Sequence, residues 1–164
     1  MANNCLIDVN IKLNNNADQQ VLFGILDRDF CEANRNNEGC YVGSDDKYLF
    51  DAEAYDHTDK EVVIVGWVKW GMTDNEMVSF FKYLNRICFI QELTVKLYES
   101  GNGVCERYTY HYEKENELKH RVLDCTTVLN YVAEEIAKDE HSAMYNCFDE
   151  LEKVEDKVIT FEAD

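Results

Sequence analysis

Apolar and polar positions along the chain change period several times, and each change marks an element. In "CLIDVNIKL" (5–13), Ile7, Val9, Ile11 and Leu13 alternate with Leu6, Asp8, Asn10 and Lys12. Period two predicts a strand with one mostly apolar face. Val21, Leu22, Ile25, Leu26 and Phe30 then recur at helical spacing, with Asn16 or Asp18 available as a cap. The polar run "NRNNEGCYVGSDD" predicts a loop. "KYLFDAEAYDH" (47–57) reads as a strand with Leu49, Asp51, Glu53 and Tyr55 on one face and Phe50, Ala52 and Ala54 on the other. "EVVIVGWVKW" (61–70) is apolar on both faces, as an interior strand is, and the short "TDK" before it suits a hairpin.

The next change lies in "GWVKWGMTDNEM". Period two sends Trp67 and Trp70 to opposite faces, so they are not two walls of one pocket. Thr73 and Glu76 have the spacing of a capping box, and Gly71 suits a tight turn. A strand therefore ends near Trp70, and a helix follows with Met77, Phe80, Phe81 and Leu84 on its apolar face. "QELTVKLYES" (91–100) and "GVCERYTYHYE" (103–113) predict two strands across "SGNG", and "ELKHRVL" (117–123) a short further strand. From Thr126 the period becomes helical through Val128, Leu129, Val132 and Ile136, then Met144, Cys147, Phe148, Leu151 and Val154. "KDEHS" divides this stretch into two helices, with Ser142 as a new cap. The order is β-α-β-β-α-β-β(-β)-α-α. It predicts an α+β chain: a ferredoxin-like antiparallel sheet over residues 1–125 with helices on one face, and an acidic helical addition over 126–164.

Charge alters this picture. The 164 residues carry 33 acidic and 16 basic side chains, a net charge of −17. Residues 1–60 hold 12 acidic and 5 basic, residues 61–130 hold 10 and 8, and residues 131–164 hold 11 and 3. Both ends are acidic and the middle is nearly balanced. Such a chain repels nucleic acid and anionic membranes and is steered toward basic partners. The seven cysteines are odd in number, scattered and without C-x-x-C, which reads as reduced thiols in a cytoplasmic protein. The longest apolar stretch, "VVIVGWV", is far short of the roughly 20 residues that span a bilayer.

No linear motif names a reaction. His57, His111, His120 and His141 form no helical i, i+4 pair, and zinc, Walker and nucleophile-elbow signatures are absent. Asp51, Glu53, Asp56, His57 and Asp59 crowd together but lack the glycine and terminal glutamate of a calcium loop. No cofactor, metal ligand set or catalytic residue is expected. Tyr108, Tyr110 and Tyr112 share a strand face, as base-stacking aromatics do on RNA-recognition sheets. Glu106, Glu113, Glu115 and Glu117 surround that stripe and oppose phosphate.

"GWVKWG" before a helix, "VKLYESGNGVCERYTYHYE" as strand, turn and return strand, and the short polar strand after it resemble the ferredoxin-like domain of YubB-type proteins of phages and plasmids. The likeness covers residues 61 to about 123 and departs at the helix start, where an expected proline is missing. It implies a fold and a mobile-element origin and supplies no catalytic residues. Joined to the acidity, it leads to an expected function. The chain would be a counter-defence inhibitor that occludes the nucleic-acid channel of a basic host protein, a CRISPR effector or a restriction enzyme. Asp149, Glu152 and Asp156 would stand on one helical face at about 5–6 Å intervals, close to phosphate pitch. Glu134, Glu135, Asp139, Glu140 and Glu155 would extend that patch, with Asp51, Glu53 and Asp56 as a second. The partner is a basic nucleic-acid-binding protein, with no direct nucleic acid or membrane contact, and the inhibitor is a monomer or homodimer. A small enzyme collecting His111, Arg107 and a carboxylate, and an RNA-binding module using the three tyrosines, are the alternatives.

Overall fold

The computed structural model describes residues 4–14, 16–26, 40–41, 47–48, 50–57, 61–69, 71–99, 104–124 and 140–162. In chain order these form β1 (Asn4–Leu13), α1 (Asn16–Leu26), β2 (Cys40–Tyr41), β3 (Lys47–Tyr48), β4 (Phe50–His57) and β5 (Glu61–Lys69). They continue with α2 (Asp74–Ile87), β6 (Ile90–Glu99), β7 (Val104–His111), a 3-10 turn (Tyr112–Lys114), β8 (Glu117–Asp124), α3 (Glu140–Leu151) and β9 (Lys157–Thr160). Seven strands make one antiparallel sheet in the order β4-β5-β1-β6-β7-β8-β9, and β2 pairs with β3 apart from it. The chain is α+β.

The alternation of β1 sets the core. Cys5, Ile7, Val9, Ile11 and Leu13 are all buried. Their register partners on β5 and β6 (Ile64, Val62, Leu97, Val95 and Leu93) are buried with them. Leu22 of α1 and Met77, Phe80, Phe81 and Leu84 of α2 close this inner face. Each such side chain contributes about 1.5–3 kcal/mol on burial.

Four expectations change. The helices do not all share one face. Cys105 points away from Tyr108, since strand neighbours at odd spacing take opposite faces, and it packs with Cys147 and Leu151 of α3 on the outer face. The last helix is also shorter than its apolar period suggests. It stops at Leu151, and "KVIT" forms β9 against β8. Val158, Ile159 and Thr160 are β-branched and suit a pleated edge better than a helix. A bulge between Ala52 and Ala54 breaks the alternation of β4. Asp51 pairs with Trp67 before the bulge, and past it Tyr55 pairs with Ile64 and Asp56 with Val63, each shifted by one. Finally, β7 ends at His111, so Tyr112 leaves the stripe of Tyr108 and Tyr110.

The junction before α2 is as expected. Gly71 takes φ 78°, a left-handed conformation that suits glycine. Glu76 N–H donates to Thr73 Oγ1 at 3.2 Å, and Thr73 N–H donates to Glu76 Oε2 at 2.7 Å. Trp70, the "SGNG" turn and the helix expected over 126–136 lie outside the described residues.

Candidate functional site

Asp149, Glu152, Glu155 and Asp156 differ in what they meet. Asp149 and Glu155 are exposed. Glu152 lies just past the end of α3, and Asp156 lies in the turn before β9, so these two and Asp149 do not share a helical face. Both turn inward to β7 and β8. Glu152 accepts from Arg107 Nη1. Arg121 donates through Nε to Asp156 Oδ1 at 2.6 Å and through Nη2 to Asp156 Oδ2 at 3.3 Å. Arg121 Nη1 also reaches Glu152 Oε2 at 3.4 Å and the Glu152 carbonyl oxygen at 3.0 Å. Hydrogen bonding from Arg107 holds the Glu152 carboxyl below its ordinary range, and Arg121 does the same for Asp156. Glu140 opens α3; Asp51, Glu53 and Asp56 lie on β4, with Glu53 in the bulge. Glu134, Glu135 and Asp139 lie outside the described residues.

The enzyme grouping of His111, Arg107 and a carboxylate does not assemble. His111 Nε2 sits 3.4 Å from Glu92 Oε1 beside an open hollow of about 240 Å³, whereas Arg107 is engaged by Glu152. The tyrosine stripe is not a stacking platform either. Tyr108 is 1% and Tyr110 7% exposed beneath α2. Among the described residues, no three His, Cys, Asp or Glu side chains converge as a metal ligand set. The Cys5 thiol is pushed up to about 12, chiefly by burial, which leaves it inert.

A different polar cluster appears on the inner face, where β7, β8 and β9 meet the start of α2. Register places Tyr108 opposite His120, and His120 opposite Lys157. The imidazole and phenol rings stack with centroids 3.9 Å apart and planes 8° from parallel. Tyr108 donates its hydroxyl to Asp74 Oδ1 at 2.9 Å, and Lys157 Nζ donates to Asp74 Oδ2 at 3.1 Å. His120 Nδ1 lies 3.1 Å from Asp74 Oδ1, and its Nε2 lies 3.8 Å from Glu106 Oε1. Neither ring nitrogen makes an aligned hydrogen bond, so these are close approaches rather than directed bonds.

The energetics follow from burial. Desolvation pushes the 7%-exposed His120 below its ordinary value, against the opposing pull of Asp74. Burial also raises Asp74, but hydrogen bonds from Lys157 and Tyr108 outweigh it and hold the carboxyl low. Glu106 is raised by burial and by the Asp74 charge. The cluster is thus a neutral imidazole between an ionised and a more readily protonated carboxyl, the kind of environment used for proton transfer. Linear motifs missed it because its members come from four elements. Only the antiparallel register, in which positions 108, 120 and 157 line up, could have pointed to it.

No helix among the described residues is long and apolar enough to cross a membrane. Comparison with protein-family models, curated proteins and solved structures found no match.

Proposed function

We propose that this chain is a non-enzymatic acidic protein that binds a basic nucleic-acid-binding protein and occludes its nucleic-acid channel. In that role it serves as a phage or mobile-element counter-defence inhibitor of a CRISPR effector or restriction enzyme. The observation that carries this reading is the net charge of −17, with 33 acidic against 16 basic side chains. Charge of that sign and size accelerates encounter with a basic surface and penalises nucleic-acid and membrane partners. The contact surface in this reading is narrower than the sequence suggests. Asp149 and Glu155 present charge to solvent, while Glu152 and Asp156 spend much of theirs on Arg107 and Arg121. Glu134, Glu135, Asp139 and Glu140, with Asp51, Glu53 and Asp56 as a second patch, complete it. The cytoplasm of the host cell is the compartment in which such a partner is met.

The fold assigned to this reading is a ferredoxin-like core of the YubB type. Its support is the run β1-α1-β4-β5-α2-β6 with β1 seated between β5 and β6. The experiment is capture of the partner from a nuclease-treated host lysate, followed by competition with duplex DNA. A basic nucleic-acid-binding protein released by DNA supports the reading; a retained protein indifferent to DNA contradicts it.

A second reading, a small enzyme, draws on one observation: the buried His120 between Asp74 and Glu106. There His120 would relay a proton and Asp74 would set its orientation. Loss of a measurable turnover in His120→Gln, with folding retained, is its test. The tyrosine-stacking alternative is set aside, because Tyr108 and Tyr110 lie under α2.

A further inference from the structure

On the outer face, the antiparallel register lines up Asp8, Lys96, Arg107 and Arg121 on four neighbouring strands. Like charges directly opposite in a sheet repel, so Lys96, Arg107 and Arg121 stand together at a cost. Asp8 meets the Lys96 end of the row. At the other end the compensating anions come from the turn after α3. Glu152 spans Arg107 and Arg121, and Asp156 takes Arg121. The two sides of this contact differ in how firmly they are built. The arginine side chains are 18% and 20% exposed on interior strands of the sheet, whereas the Glu152 side chain is 57% exposed. The cations belong to the sheet, and Glu152 is the exchangeable partner.

The same face continues beyond the row. Thr94, Thr109 and Lys119 form the next register line. They border the hollow of about 240 Å³ that His111, Lys114, Glu92 and Glu117 also line, with Glu92 paired to Lys12 and His111. Two hydroxyls and Lys119 therefore stand one row along the face from the guanidinium pair. We propose that the Arg107–Arg121 pair is a binding site for a diphosphate group carried by a small molecule, and that Glu152 occupies it as an internal stand-in. Paired guanidiniums present forked donors that match phosphate oxygens bidentately. The hydroxyls of Thr94 and Thr109 and the Lys119 ammonium would take the rest of such a ligand. This site is independent of the acidic partner surface, and its ligand displaces Glu152 from the arginines.

The test is titration of inorganic pyrophosphate into the full chain at low ionic strength, followed calorimetrically. Wild type is expected to bind weakly. Glu152→Gln is expected to bind at least about tenfold tighter, a gain of about 1.4 kcal/mol. Arg107→Gln placed in the Glu152→Gln background is expected to abolish that gain. A control variant, Glu162→Gln, removes one exposed negative charge elsewhere and is expected to match wild type. Equal gains in Glu152→Gln and Glu162→Gln would reduce the effect to net charge and overturn the site. Binding that survives Arg107→Gln would overturn it as well. Should Glu152→Gln fail to fold, chemical-shift changes of the Arg107 and Arg121 side chains on adding pyrophosphate to wild type decide the matter. Saturable shifts at both support the site, and none at either refutes it.

Discussion

His120 lies flat on Tyr108, ring on ring at 3.9 Å, and both side chains reach the same oxygen of Asp74. Through that one carboxylate the first residue of α2 is joined to β7 and β8, and Lys157 joins it to β9. The contact fastens the helix to three strands at the sheet edge. Tyr108→Phe keeps the stacked ring and removes only the hydroxyl. It is expected to cost about 1 kcal/mol, read as a shift in the urea midpoint with an unchanged slope.

Acid should weaken the fold in two stages. His120 is held neutral below its ordinary value of about 6.5, so the unfolded chain binds the proton first. Stability that is complete above about pH 6.5 is lost as the pH falls from there toward the folded-state value, by up to about 1.4 kcal/mol per pH unit. Below about pH 4.5, Glu152, Asp74 and Asp156 follow, since their carboxyls are held low in the fold. Glu106 works the other way, adding stability as the pH falls toward its ordinary range. Urea unfolding of wild type and His120→Gln at about pH 7.5 and about pH 5.5 isolates the histidine. The pH-dependent loss should be smaller in the variant.

The capping box gives a sharper local prediction. Thr73→Ala removes the acceptor for the Glu76 N–H at the start of α2. A loss of about 1 kcal/mol is expected, with faster amide exchange confined to the first turn. Thr73→Ser should recover most of it.

α3 is held by a satellite core, Cys105 with Cys147 and Leu151, rather than by the main one. Leu151→Ala should therefore cost about 2–5 kcal/mol and release α3 before the rest, since Ile159 of β9 packs on the main core. Hydrogen exchange should show α3 opening while β1 and β6 stay protected. Simultaneous loss of protection in β1 would contradict the division into two cores.

Much of this fold is legible in local pattern. The alternation of β1, the capping box at Thr73 and Glu76, and the apolar stripe of α2 are each set within one turn or one strand. What failed depends on distant partners. Leu151 and Val154 continue a helical count, yet the helix stops at Leu151, and β8 offers an edge that β-branched residues at 158–160 fill. Glu152 and Asp156 look like solvated acids until Arg107 and Arg121, at least 31 residues away in the chain, are brought beneath them. Glu53 breaks the period of β4 through a bulge that no local residue type announces. The polar cluster at His120 was missed for the same reason, because it exists only once β7, β8, β9 and the start of α2 are assembled.

The central claim is that exposed acidity binds a basic partner. Its most direct test is retention of the captured partner from about 0.1 M to about 1 M salt, a range over which the screening length falls from about 10 to about 3 Å. Wild type should be compared with Asp149→Lys/Glu155→Lys, whose positions are exposed and are not the carboxylates that hold Arg107 and Arg121. Steep loss of retention with salt is expected for wild type, and weak retention of the partner by the double variant even at low salt. Retention that is flat in salt and unchanged by the double reversal would contradict it.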